Sequence, residues 1–260
     1  MGGRTPSGGG NVRTPTLADA ADALARGEHD EVLRLTDAIL AEQPGNDAAH
    51  EYRARALVAL GRLGEAERHA QDAVRLDPEE IRYRELLAQI LSQEGAHRDA
   101  AAEFGRLARN DPRATEWTVA EARERIGASQ PDMGVAAARR AVRLDPRNGP
   151  AQLALAQGLV RTGDARGAYQ AATLAVELLP GDPRAREALA DAHWLADQDA
   201  AAFAEFRALA DELEDGERER IVEKARTLYR QHAGWAGRLL AGIGPLFELA
   251  FSRGWLHPTR

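Results

Sequence analysis

Small and apolar side chains return along this chain every 34 residues, with polar residues filling the positions between them. With units opening at Arg13, Asp47, Ile81, Thr115, Gly149 and Pro183, position 8 is alanine in every one: Ala20, Ala54, Ala88, Ala122, Ala156 and Ala190. Position 20 is small in all but the first unit (Val32, Ala66, Ala100, Gly134, Ala168, Ala202). Position 28 is apolar throughout (Leu40, Val74, Ala108, Val142, Val176, Ala210), and position 24 takes Phe104 and Phe206 in two units. Positions 20, 24 and 28 rise in steps of four and so share one face of an α-helix. Positions 8 and 20 fall on two different stretches, and small side chains at both let two helix backbones approach closely.

Two kinds of punctuation separate the stretches. Pro44, Pro78, Pro112, Pro146 and Pro180 occupy position 32 and end the second stretch, because proline cannot continue a helix. Gly27, Gly61, Gly95 and Gly163 occupy position 15, between the stretches, where a tight turn needs a residue tolerant of unusual backbone angles. Five prolines in register lie far beyond chance, and a fixed period of this size marks a repeat architecture. Each unit is predicted to be helix, turn, helix, break.

The pattern resembles the tetratricopeptide repeat (TPR). The second unit, DAAHEYRARALVALGRLGEAERHAQDAVRLDPEE, carries it best, followed by GLVRTGDARGAYQAATLAVELLP in the fifth. The resemblance spans roughly residues 13–216 and implies an all-α, right-handed α-solenoid of about six helix-turn-helix repeats with a concave groove. The repeats fall at 13–46, 47–80, 81–114, 115–148, 149–182 and 183–216. Residues 1–12 read as a flexible tail rather than a signal peptide, since MGGRTPSGGG has no apolar core. A capping helix is expected over 217–234, where Ile221, Ala225 and Leu228 recur at i, i+4, i+7, and an apolar C-terminal helix and tail over 235–260.

Two units depart from the pattern. The fourth has Ser129 in place of the turn glycine and Pro131 just after it, so a distorted turn is expected there. The sixth has Asp197 at position 15 and Glu214 at position 32, so its second helix is expected to run further than the others.

Composition narrows the function classes. Aromatic residues are 5% and hydrophobic residues 44% of the 260, which suits closely packed small-residue helices. A net charge of −7 gives no basic footprint for nucleic acid. With no cysteine there is neither a disulfide framework nor a thiolate metal site, which fits a cytoplasmic protein. Lys224 is the single lysine in an Arg- and Ala-rich chain, a bias expected of a GC-rich, bacterial genome.

No HExxH, phosphate-cradling GxxxxGK[ST] or GxSxG motif is present, and no catalytic, cofactor-binding or metal-ligating residue is assigned. His29, His50, His97 and His193 fall on repeat columns that hold aromatic residues in TPR proteins, and they read as aromatic substitutes. By the resemblance, positions 2, 5, 9, 12 and 13 line the groove. The candidate partner-binding residues there are Arg55, Val58, Arg82, Gln89, Val119, Arg123, Leu153, Gln157, Val160, Arg161 and Trp194. Five groove arginines (Arg55, Arg82, Arg123, Arg161, Arg184) face five acids (Glu51, Glu85, Glu116, Glu187, Asp191), a balance that does not choose between acidic and basic ligands. Asn11, Asn46, Asn110 and Asn148 all lie off the groove columns, which argues against the carboxylate clamp some TPR domains use.

Segment 235–251 is the most apolar of the chain, yet Arg238, Pro245 and Glu248 interrupt it and it is short for a membrane span. Three readings stand, in this order: packing on the cap, a partner or self-association interface, and a membrane contact. The last two would act through Trp235, Leu240, Phe247, Phe251 and Trp255. The function expected is a non-enzymatic scaffold holding a peptide segment or helix of a partner protein in the groove. An assembly or membrane-docking adaptor working through 235–255 is the alternative.

Overall fold

A computed structural model describes residues 14–232, 247 and 250–253, and Trp235, Leu240 and Trp255 lie outside them. The described residues form an all-α helical repeat without a strand. In chain order the helix pairs are α1 (Leu17–Ala25) and α2 (His29–Glu42), α3 (Asp47–Ala59) and α4 (Leu63–Leu76), and α5 (Ile81–Gln93) and α6 (His97–Asn110). Then come α7 (Thr115–Gly127) and α8 (Pro131–Leu144), α9 (Gly149–Thr162) and α10 (Ala165–Leu178), α11 (Pro183–Leu195) and α12 (Asp199–Glu212), and last α13 (Asp215–His232). The chain divides into two compact bodies, one ending at Glu103 and the other beginning at Phe104.

The alanines at position 8 are all fully buried. In the fourth repeat the facing residue at position 20 is Gly134. A Cβ there would stand 2.6 Å from Ile126 Cγ1 and 3.0 Å from the Ala122 carbonyl oxygen, so the approach of α8 to α7 requires glycine.

Between the helices of a pair, the turn residue takes the left-handed conformation: φ is 72° at Gly61 and 84° at Gly163. Ser129 and Asp197 adopt it too, at 58° and 62°. The turn at Ser129 is not distorted, contrary to the sequence expectation. Ser129 N–H donates to Ile126 O (3.2 Å) and Gln130 N–H to Arg125 O (2.9 Å), the pattern made by Gly61 to Val58 O and Arg62 to Leu57 O in the second repeat. Pro131 sits at the start of α8, where the helix needs no donor.

Every second helix ends at position 30, two residues before the proline column. Asp77 and Asp145, which precede Pro78 and Pro146, are extended (ψ 91° and 98°), as a following proline demands. The expected extension of the sixth repeat's second helix is not found: α12 ends at Glu212, in register with its neighbours. Leu213 leaves the helix at ψ 151° without a proline behind it and packs on the terminal apolar cluster, so burial does there what proline does elsewhere.

The proline carbonyls are also used. His50 Nε2 lies 3.1 Å from Pro44 O, Arg84 Nη2 donates to Pro78 O at 3.2 Å, and Gln152 Nε2 donates to Pro146 O at 2.9 Å. A donor at position 4 thus satisfies the carbonyl that the helix break would leave unpaired. Asn46 and Asn148 cap α3 and α9 through their side chains, which accounts for their place off the groove.

In the C-terminal body, α13 buries Ile221, Ala225 and Tyr229, with Leu228 only partly covered. Phe247 and Phe251, weighed above as docking residues, are buried in the same cluster. The Tyr229 ring centroid lies 5.7 Å from that of Phe247, and the Phe203 centroid 6.3 Å from that of Phe251. Their apolar area is spent on the cap, which removes them as an external interface. Among the described residues no helix is long and apolar enough to cross a membrane.

Candidate partner-binding surface

The first helices present the predicted binding columns, and the structure sorts those columns into three kinds. Position 5 is covered. Val119 is buried with Ala141 and Ala151, and Leu153 with Ala185 and Ala188, so neither is an anchor for a ligand. The reason is geometric: position 5 faces the seam where the next first helix packs, and α9 and α11 supply the residues that close over it. Trp194 is partly covered, its ring 5.8 Å from Phe203 and edge-on to it.

A second group is engaged by hydrogen bonds and ion pairs within the protein. In the N-terminal body the Glu51 carboxylate is buried, accepts from Arg55 Nε at 2.8 Å and faces Arg82 Nε at 3.7 Å. Arg82 further donates to the Tyr83 hydroxyl at 3.1 Å, and Gln89 donates to Glu85 at 3.3 Å. Val58 is half-buried beside them.

In the C-terminal body, Lys224 and Arg220 of α13 perform the same service. Lys224 Nζ donates to Glu187 and to Asp191, each at 2.7 Å, and Arg220 donates to both oxygens of Glu187 at 3.0 and 2.8 Å. Burial alone would raise the Glu187 pKa, but the hydrogen bonds from Arg220 and Lys224 and their charge bring it down to about 2. Asp191, which holds only Lys224, has its pKa raised by burial.

The third group is available. Arg123 and Arg161 are exposed and make no hydrogen bond or ion pair among the described residues. Gln157, Val160 and Arg161 of α9 open onto a cleft of about 330 Å³ bounded by Arg184, Glu187 and Lys224. Arg184 is held by Asp182 at 2.8 Å. The equal count of arginines and acids hides an uneven distribution: Glu187 and Asp191 facing the cleft are already paired, whereas on α7 and α9 two exposed arginines, Arg123 and Arg161, stand against one exposed acid, Glu116.

Sequence reasoning missed Arg220 and Lys224, although a signal existed. Lys224 stands 34 residues after Ala190, on the next rung of the alanine ladder, where a charged residue breaks the column. It also left His69 and Asp72 unassigned. The His50 ring lies 5.2 Å from His69 and His193 lies 5.1 Å from Tyr169, so both pack as aromatics. Burial, then the charges of Arg53 and His50, hold the His69 pKa at about 4.

Comparisons agree with this architecture. The tetratricopeptide repeat family model matches residues 23–90. The inactive TPR repeat-containing thioredoxin TTL3 of Arabidopsis thaliana is 40% identical over 79 residues, which are 30% of this chain and 11% of that protein. The chain thus matches about a tenth of that relative's length. A tetratricopeptide repeat protein from Parabacteroides merdae has a TM-score of 0.67 at 14% identity, covering 92% of this chain and 97% of that one. YrrB, described as a TPR protein with an unusual peptide-binding site, has a TM-score of 0.55 at 15% identity, covering 73% and 97%. At such identities the two structures speak for the fold alone. The match over residues 23–90 and the helical-repeat fold of the described residues are those of tetratricopeptide repeats.

Proposed function

We propose that this chain is a non-enzymatic scaffold that binds an acidic segment of a partner protein along α7, α9 and α11. The observation that carries this reading is that Arg123 and Arg161 make no ion pair among the described residues, while the acids at the cleft of Arg161 are already neutralised by Arg220 and Lys224. Guanidinium groups accept carboxylates two oxygens at a time, and helices held by a packed core lose little freedom when they do so. Val160 and Gln157 add an apolar contact and a hydrogen-bonding amide at the same cleft. The composition makes the bacterial cytoplasm the proposed setting.

An array of short peptides of equal length and graded net charge, probed with the full chain, tests the reading. Binding should rise with peptide acidity and fall with added salt. Binding that is indifferent to peptide charge would overturn it.

A further inference from the structure

Apart from the binding face, α3 and α4 bring three metal-ligating side chains to one point. His69 and Asp72 share a face of α4, and His50 of α3 stands against them, with one donor atom from each within 4.8 Å of the others. His50 Nδ1 lies 2.9 Å from His69 Nδ1 and 3.9 Å from Asp72 Oδ2. The hydrogen bonds fix both tautomers. The Pro44 carbonyl can only accept, so His50 carries its proton on Nε2 and offers a bare Nδ1. Arg53 Nε–H donates to His69 Nε2 at 3.0 Å, so the proton of neutral His69 is on Nδ1 and points at His50.

We propose that His50, His69 and Asp72 form a binding site for one divalent transition ion of the zinc type. His50 is already set as a ligand: its Nδ1 carries no proton and accepts from His69, and its other ring nitrogen donates to a backbone carbonyl, the outer contact that metal-bound histidines require. Two imidazoles and a carboxylate suit zinc, cobalt or nickel rather than magnesium or calcium. Tetrahedral ligation at about 2.0–2.1 Å asks the two Nδ1 atoms to part by only a few tenths of an ångström. The carboxylate side is half-exposed, which leaves an entry path and room for water in the remaining coordination position.

Arg53 governs the site. For His69 to ligate through Nδ1, its proton must move to Nε2, where the Arg53 N–H now points. Arg53 has other acceptors in the Leu33 carbonyl, Thr36 and Asp37, so it can release His69 while remaining held. Asp72 must likewise exchange Arg75, its present partner, for the ion.

The test is calorimetric titration of Zn²⁺ into the untagged full chain, paired with the visible absorption of Co²⁺, and with circular dichroism to confirm that each variant is folded. One equivalent should bind, Mg²⁺ should not compete, and His69→Gln and the milder Asp72→Asn should each weaken binding at least about tenfold. Arg53→Met, which removes the donor from Nε2, should tighten it. Absence of stoichiometric Zn²⁺ and Co²⁺ binding by the wild-type chain would overturn the proposal, and so would affinity unchanged in folded His69→Gln and Asp72→Asn, since binding would then lie with the five histidines outside this pair.

Discussion

Lys224 of α13 donates to Glu187 of α11 at 2.7 Å, and through this contact α13 silences the acids of the binding face. The three partners are mostly covered, with side-chain exposures of 29% for Lys224, 16% for Glu187 and 23% for Asp191. Lys224→Ala restores the residue that the repeat column carries elsewhere, yet it leaves Asp191 without its cation. It should lower stability by about 1–3 kcal/mol, less than for a fully buried pair. Denaturant unfolding measures this, and an unchanged midpoint would mean that the contact is an ordinary surface pair.

The same cluster sets an acid response. Glu187 holds a pKa of about 2 in the fold, below its ordinary value of 4.5. A depressed carboxylate stabilises the fold at pH values above the ordinary one, and that contribution is lost as pH falls from 4.5 toward 2. Asp191, raised by burial, opposes it over part of the range. In Glu187→Gln the fall in stability across this window should flatten, by no more than about 3 kcal/mol. Thermal midpoints measured at several pH values show whether it does.

Exchanges to and from glycine should act with opposite signs at two kinds of position. Gly134→Ala improves helix propensity by about 1 kcal/mol, but the new Cβ meets the Ala122 carbonyl oxygen at 3.0 Å and Ile126 at 2.6 Å. The backbone contact cannot yield cheaply, so a net loss of about 1–3 kcal/mol is expected. Ser129→Gly and Asp197→Gly relieve left-handed non-glycine residues and should each gain about 0.5–1 kcal/mol. Unfolding curves of the three variants decide the signs.

The repeat columns made the helices legible because a 34-residue period fixes which residues share a face. Positions 4 and 23 face each other across a hairpin, as His50–His69 and Arg84–Glu103 do. Comparing those columns would have brought His69 beside His50. Val119 and Leu153 could not be placed from one repeat, since their burial depends on how the following first helix leans over position 5. Charge was the least legible property. Counting arginines against acids says nothing about which are paired, and the pairing of Glu187 and Asp191 is decided by a helix beyond the proline ladder.

A charge exchange tests the central claim most directly. Fluorescence anisotropy would follow one acidic peptide and its basic counterpart, with every Glu replaced by Arg, on wild-type chain and on Arg123→Glu/Arg161→Glu. Both arginines are exposed and make no pair among the described residues, so the double variant should fold unchanged. The account predicts that the wild type prefers the acidic peptide and that the variant loses at least about tenfold of that affinity while gaining for the basic one. Equal affinities of the acidic peptide for both proteins would contradict it.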